Sequence, residues 1–504
     1  MKRILTAALS VLIATGCGKN DGGGPAGPSE TTLEISETKV STGYLGNGVQ
    51  FSMYEVNDSP QSDWGRAFNM WMDDAMWAKT LERLEYMKLG LVRTMISSAA
   101  YSFKGWDGNT NEPVIDLARG QERIDKWIGF CDRNDITVLW GEWGSANISD
   151  ITDPVWSRVI IDYADYLINT RGHTSIRYFI PVNEPDGGWT EVTGGNFNKW
   201  KAGAEAVYSR ITEKNLQSRL QIAGPDACPG ITGTSFIEKA ASQLKDKIGI
   251  WNIHIYPYPD QIRSGSYEGL IRRWHDLMGR DKKLVIGEIG MKYKAGTSEY
   301  TENLRRALED PMGKSDTGGG ANMFVYDHFY AIDIADLYIQ CMRGGMSGGC
   351  AWMVCDAMNT GPNQKMKRWG MWNIFGAKMG FPEDENIRPW FYPLSLLSRY
   401  IPRGSDILSV SDSGTDGVRA VASRCGGELT FAVVNNSDAT RTVTVKKEGE
   451  APRRMRIFTC FEHKRPVDAK QLPVPAEIRD VDLASGETIE LPPLSFVLMS
   501  SLDY

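Results

Sequence analysis

Between Val49 and Val354 the chain switches eight times between a short apolar run and a longer stretch whose apolar residues recur at helical spacing. The strand-like runs are Val49–Tyr54, Leu91–Ile96, Ile136–Trp140, Ile176–Val182, Leu220–Gly224, Ile250–Tyr256, Lys283–Gly287 and Gly349–Val354. Ala75–Leu89, Gly120–Arg133, Pro154–Arg171, Lys199–Asn215, Phe236–Leu244, Leu270–Met278 and Ala331–Gly344 read as helices between them, and Gly90 caps the first. Such alternation makes successive strands parallel, and eight units close into a barrel. The rival is an open doubly wound sheet, which announces itself by a Gly-rich phosphate loop after an early strand. None follows these strands, so the expected class is α/β, a (β/α)8 TIM barrel.

After Arg403 the pattern changes to short alternating runs separated by Gly/Asn/Asp turns: Ile407–Val410, Val418–Ala422, Leu429–Val434, Thr442–Val445, Arg454–Thr459 and Leu494–Met499. This predicts an all-β sandwich over 404–504, behind a barrel spanning 32–403. Thr32–Val40 also reads as a strand, one that can join the sandwich from the other end of the chain.

The first seventeen residues read as an address. Met1-Lys2-Arg3 is basic, Ile4–Ala14 is apolar and too short to span a bilayer, and Ala14-Thr15-Gly16-Cys17 resembles a bacterial lipoprotein cleavage box with Ala where Leu is usual. The expectation is a lipid on Cys17, a flexible Gly/Pro-rich tether over 18–31, and contact with the membrane through that anchor alone. Lys19-Asn20-Asp21 resembles the charged export signal of surface lipoproteins, which points to the outside of a bacterial outer membrane.

A net charge of −7 and a pI near 5.5 argue against a nucleic-acid partner, which needs a basic face. Sixteen Trp is a high count, and flat aromatic faces suit sugars as well as cores. The seven Cys beyond Cys17 have no disulfide-framework spacing, and Cys350 and Cys355, read on one strand, point to opposite faces. Buried free thiols are expected. The five His are scattered without zinc spacing, so neither a metal nor a cofactor is expected.

The active site of such a barrel lies at the carboxyl ends of its strands. Strand four runs into Pro181-Val182-Asn183-Glu184-Pro185, and strand seven into Ile286-Gly287-Glu288-Ile289. Glycosidic bond cleavage needs two carboxyls across the sugar, one protonated toward the leaving oxygen and one ionised. Glu184 and Glu288 have that disposition.

The Asn-Glu-Pro after strand four with a Glu after strand seven resembles clan A of the retaining glycoside hydrolases, with features of families 5, 30, 39 and 44. The resemblance implies Glu184 as acid/base, Glu288 as nucleophile and Asn183 on the sugar 2-hydroxyl. His254-Ile255-Tyr256 is similar to the clan's His-x-Tyr, Arg93 to its nucleophile-positioning Arg and Trp352 to its sugar-stacking Trp. Trp143 and Trp189 are candidate subsite platforms, Glu142 a sugar contact or rival carboxylate, and Asp226 a candidate for the sugar-binding rim. Arg93 and Tyr256 are expected to lower the pKa of Glu288, and the neighbouring charge to keep Glu184 protonated. The expected function is a retaining glycoside hydrolase on β-linked polysaccharide or oligosaccharide, endo-acting at the cell surface. The alternative is a non-catalytic glycan-binding lipoprotein on the same fold. Oligomeric state is not readable.

Overall fold

The computed structural model describes residues 31–51, 72–98, 102–118, 121–143, 148, 150–312, 315, 320–358 and 366–504. The signal segment, Cys17, the tether up to Glu30, and Ser52–Tyr54 of the first expected strand lie outside the described residues; Thr31, read as the end of the tether, opens a strand instead.

Eight parallel strands close a barrel: β1 (Asn47–Gln50), β2 (Leu91–Ile96), β3 (Thr137–Glu142), β4 (Ile176–Ile180), β5 (Gln221–Ala227), β6 (Ile248–Ile255), β7 (Leu284–Ile289) and β8 (Gly348–Ala351). Each pairs with its neighbour in chain order and β8 returns to β1, with Gly349 opposite Asn47. The barrel class read from the alternation is the class observed. The interior below the mouth is filled by Leu91, Met95, Leu139, Ile180, Ala223, Ile250, Val285 and Cys350, seven strands contributing, so the barrel is a packed core and not a pore.

Boundaries differ from the sequence reading where polar residues extend a ladder. β7 runs on to Ile289, so Glu288 sits on the strand and not beyond it. β4 stops at Ile180, four residues before Glu184. The helix opened by Asp153 and Pro154 changes after Asp165 to a π-helical turn over Tyr166–Thr170. Cys355 lies past β8, where it bridges Trp372, and so does not share a strand with Cys350. All seven described cysteines are free thiols, and all but Cys425 are buried.

Strict two-residue alternation does not hold along β5 and β7. On β7, Val285 and Gly287 face the barrel axis, and alternation would turn Glu288 outward. A register shift against β6 between Ile286 and Glu288 brings it back in. On β5 a register shift between Pro225 and Ala227, with Asp226 at φ 64°, does the same for Asp226. β6 alternates cleanly and presents Ile250, Asn252 and His254 to the interior.

The C-terminal strands form antiparallel ladders, with Glu428–Asn435 between Val418–Cys425 and Ser495–Ser500. The leading strand Thr31–Ser41 bends by two register shifts. Its first half pairs parallel with Arg441–Lys446 and its second half antiparallel with Asp406–Val410, so one strand joins two parts of the sandwich. Leu33, Leu408, Phe431, Val433, Met455 and Val497 are among its core.

Helix His328–Arg343 lies between barrel and sandwich. Its Asp333 and Asp336 side chains are fully buried and face the sandwich's Asn436, which donates to both. Arg263 pairs with Asp333 from the barrel, and Arg419 with Asp336 from the sandwich at 2.6 Å. Burial still pushes the Asp336 carboxyl up to about 6, against the pull of Arg419. Removing one partner of a buried pair strands the other charge. Arg419→Ala is therefore expected to lower unfolding free energy by about 3 kcal/mol or more, read as a shifted midpoint in urea with an unchanged slope. A variant within 0.5 kcal/mol of the parent contradicts this reading of the interface.

Candidate active site

The site is organised around the Arg93 guanidinium, which is fully buried on β2. Nη1 donates to Glu288 Oε1 at 2.5 Å and to Gln50 Oε1 at 2.9 Å; Nη2 donates to Asp226 Oδ2 at 2.6 Å and to Asn183 Oδ1 at 2.7 Å. It reaches across the axis because β7 carries glycine opposite: a Cβ on Gly287 would lie 2.6 Å from Asn252 Oδ1 and 3.2 Å from Arg93 Cδ.

Asp226, also fully buried, is further held by Asn252 Nδ2 at 2.5 Å and His254 Nε2 at 3.0 Å. The sequence placed Asp226 on the sugar-binding rim. The structure places it beneath the floor of the site, as counter-ion to Arg93 and His254, because the shift in β5 turns it inward. Arg93 is likewise fully buried.

His254 stands between carboxylates. Nδ1 is 3.1 Å from Glu184 Oε1 and 3.5 Å from Glu288 Oε2, while Nε2 faces Asp226. With an acceptor at each ring nitrogen, both carry protons. Burial lowers the imidazole pKa, but Asp226 and Glu288 outweigh it and raise it to about 10. Glu184 therefore faces a cation. Burial pushes its carboxyl up, yet the donation and charge of His254, with donors from Cys228 Sγ at 3.1 Å and Trp189 Nε1 at 2.6 Å, bring it down to about 2. Glu288 moves the other way. Burial raises it above the usual carboxylate range and the Glu184 charge adds to this, while His254, Arg93 and the 2.5 Å hydrogen bond from Tyr256 hold it down. Both directions reverse the sequence expectation, which lacked the imidazolium between the two carboxyls and the depth of Glu288.

Glu184 adopts φ 45°, in the left-handed region that non-glycine residues rarely occupy, as does Asp226. Both are held by several hydrogen bonds, the setting in which backbone strain persists at functional positions.

Two adjoining cavities share Glu184, Tyr256 and Lys292. One, of about 540 Å³, is lined by Trp189, Ile231, His254, Tyr258 and Tyr267 on the Glu184 side. The other, of about 230 Å³, is lined by Glu288, Asn183, Trp143, Trp352 and Trp369. Trp143 and Trp352 meet edge to face at 6.5 Å, and Tyr256 and Trp369 at 5.9 Å. Trp189 is 53% exposed, so one indole face is open while its N–H holds Glu184. Gly187 lets the indole lie there, since a Cβ would come within 2.2 Å of the ring. Asn183 accepts from Arg93 at its amide oxygen and lines the smaller cavity.

Glu142 does not line the cavities. Leu139 and Trp143 face the axis, and by parity Glu142 faces away, where it is buried and accepts from the backbone and hydroxyl of Ser98. Sequence reasoning missed Cys228, Lys292, Tyr258, Tyr267 and Trp369. Lys292 and Tyr258 follow β7 and β6 by three residues and were findable by the rule that found Glu288; Trp369 lies far past β8 and was not. Glu184, Cys228 and His254 offer ligand atoms within 4.8 Å of one another, the group of that kind among the described residues. Cys228 Sγ and His254 Nδ1 both hydrogen-bond to Glu184 Oε1.

A closed eight-stranded barrel backed by a β-sandwich is a fold that several glycoside hydrolases of known structure also have. Solved structures share it over nearly the whole chain. They include a conserved exported protein from Bacteroides fragilis (11% identity, 93% of this chain and 100% of that chain, TM-score 0.63). The catalytic domain of the family 30 xylanase C from Talaromyces cellulolyticus also matches (12%, 94% and 100%, 0.61), as does the endo-β1,6-glucanase BT3312 (12%, 95% and 95%, 0.59). At these identities the likeness is one of fold. No protein-family model and no curated protein matches the sequence.

The charge pattern has a direct readout. In ¹⁵N-histidine spectra, His254 is expected as an imidazolium at pH 7, losing its proton only as the pH approaches about 10. A neutral ring at pH 7 contradicts the assignment.

Proposed function

We propose that this protein is a retaining glycoside hydrolase that cleaves β-linked glycans within the chain by double displacement. The observation that carries the reading is the pairing of Glu184 and Glu288 around one imidazole nitrogen in an aromatic-lined cleft. The two facing oxygens can be no farther apart than the two His254 contacts laid end to end. That bound reaches only the lower edge of the ~6.5–9.5 Å of a pair that leaves room for water, and it accommodates the ~5–5.5 Å of a nucleophile and acid. Cavities on both sides of the pair support sugar subsites on both sides of the scissile bond, hence internal cleavage. The xylanases and the glucanase that share the fold support a β-linked substrate.

In this mechanism the Glu288 carboxylate attacks the anomeric carbon, aligned by Arg93 and Tyr256, and the bond to the leaving oxygen breaks as that oxygen takes a proton from Glu184. Before the reaction that proton rests on His254 Nδ1, one hydrogen bond from Glu184 Oε1. Its transfer to Glu184 leaves the net charge of the site unchanged, so Glu184 can serve as acid without uptake from solvent. Glu184 then takes a proton from water, whose oxygen attacks the glycosyl ester and frees Glu288. Trp143, Trp352 and Trp369 offer ring faces and edges to the sugar on the Glu288 side. We further propose that Cys17 is the lipid-anchored residue that holds the enzyme at the cell surface, tested by fatty-acid labelling of the parent and of Cys17→Ala.

A panel of β-glucans, xylans, mannans and galactans with chromatography of the products tests the reading. A ladder of oligosaccharides is expected, with turnover falling by about 10³-fold or more in Glu184→Ala and Glu288→Ala. Azide is expected to rescue each variant, as the β-glycosyl azide in Glu184→Ala and the α-glycosyl azide in Glu288→Ala. Retention of one polymer without product from any would move the reading to a glycan-binding lipoprotein. Gly287→Ala should displace Arg93 and Asn252 and lower kcat by about 10²-fold in a folded protein; wild-type kcat would contradict the role given to Arg93.

A further inference from the structure

We propose that Glu184, Cys228 and His254 form a binding site for a thiophilic divalent cation of the zinc class, and that occupancy of this site switches off hydrolysis. The three residues come from different elements: Glu184 from the segment after β4, Cys228 from the residue after β5, His254 from β6. No sequence spacing joins them. In space, Cys228 Sγ and His254 Nδ1 each lie 3.1 Å from Glu184 Oε1, and all three ligand atoms fall within 4.8 Å of one another. A tetrahedral ion with bonds of ~2.0–2.3 Å holds its ligands about 3.3–3.8 Å apart. The two contacts to Glu184 need open by only a few tenths of an ångström, and the sulfur–nitrogen pair need close by at most about 1 Å, to complete three corners.

The donor set also fits. One imidazole nitrogen, one sulfur and one carboxylate oxygen make a mixed borderline site that suits zinc and excludes magnesium or calcium, which require oxygen ligands. The outer partners match what a metal-bound histidine needs. Its remote nitrogen is ordinarily anchored on a carboxylate, which fixes the ring and raises its basicity. Here His254 Nε2 is anchored on Asp226, itself pinned by Arg93 and Asn252. The larger cavity is lined by both Glu184 and His254, so an ion has a route in and a fourth position open to water.

Binding exchanges protons for metal. The ion takes the Nδ1 lone pair and the thiolate, and the Nδ1 proton and the thiol proton leave to solvent; the carboxylate is already ionised. The occupied site has lost both the acid oxygen of Glu184 and the proton held beside it. The inhibitory half of the inference rests on Glu184 being the acid; the binding half does not.

The test uses the purified protein freed of metal by a chelator. Cobalt(II) is titrated in, followed by the near-ultraviolet thiolate-to-cobalt absorption, and zinc is then added in competition. One equivalent of cobalt is expected to raise the band and one equivalent of zinc to abolish it. Cys228→Ala and Cys228→Ser, each checked for an intact melting transition, are expected to lack the band and to bind zinc about tenfold or more weakly. In the parent, one equivalent of zinc is expected to stop product formation, and chelator to restore it. Absence of the band at saturating cobalt overturns the site, as does a band that survives both Cys228 variants, because six other cysteines stand among the described residues. A normal band with undiminished hydrolysis overturns the switch. If the protein hydrolyses none of the glycans tested, the absorption readout still decides the site, so the two readings fail separately.

Discussion

A single guanidinium buried at the mouth of a barrel governs the chemistry of this molecule. Arg93 has no solvent to hydrate it, so it stays charged only by collecting acceptors from β1, β5, β7 and the segment after β4. A buried charge without partners costs several kcal/mol, so each partner is held by a physical necessity and not by surface convenience. That necessity aligns Glu288, fixes the oxygen of Asn183 and commits Asp226 to a supporting position. Asp226 in turn keeps the His254 ring doubly protonated and oriented, and His254 sets the state of Glu184. The order of influence runs from Arg93 outward to the cleft.

The same rule governs the seam between the two domains. Asp333 and Asp336 project from one helix into the interface, where Arg263, Arg419 and Asn436 meet them from both sides. The sandwich is not a detachable appendage in this arrangement. The leading strand reinforces it, since chain from before the barrel completes ladders made by chain from after it.

The opposite shifts of the two carboxyls follow from depth and neighbours. Glu288 is the deeper group and shares its cations with Asp226, so desolvation prevails. Glu184 is nearer the cleft and draws three donors to itself. In the proposed mechanism the labile proton therefore starts on His254 nitrogen and reaches Glu184 along one hydrogen bond. The same crowding of nitrogen, sulfur and oxygen around one point also makes the site attractive to a metal.

Periodicity made much of this legible before any coordinates. The eightfold alternation pointed to parallel strands, and the lack of a Gly-rich phosphate loop after an early strand favoured the closed barrel over the open sheet. The rule that barrel sites lie at strand ends picked out Glu184 and Glu288, and the likeness to a His-x-Tyr motif picked out His254 and Tyr256. Parity read strictly also shows why Glu142 faces away from the cleft. What the sequence alone could not determine was everything that breaks period two. The shifts in β5 and β7 that turn Asp226 and Glu288 inward are properties of two strands in register, not of one strand's pattern. The meeting of Glu184, Cys228 and His254 depends on three chain segments converging at the barrel mouth. The direction of each carboxyl's shift depends on which cation it faces and how deeply it lies, and only the closed barrel decides either.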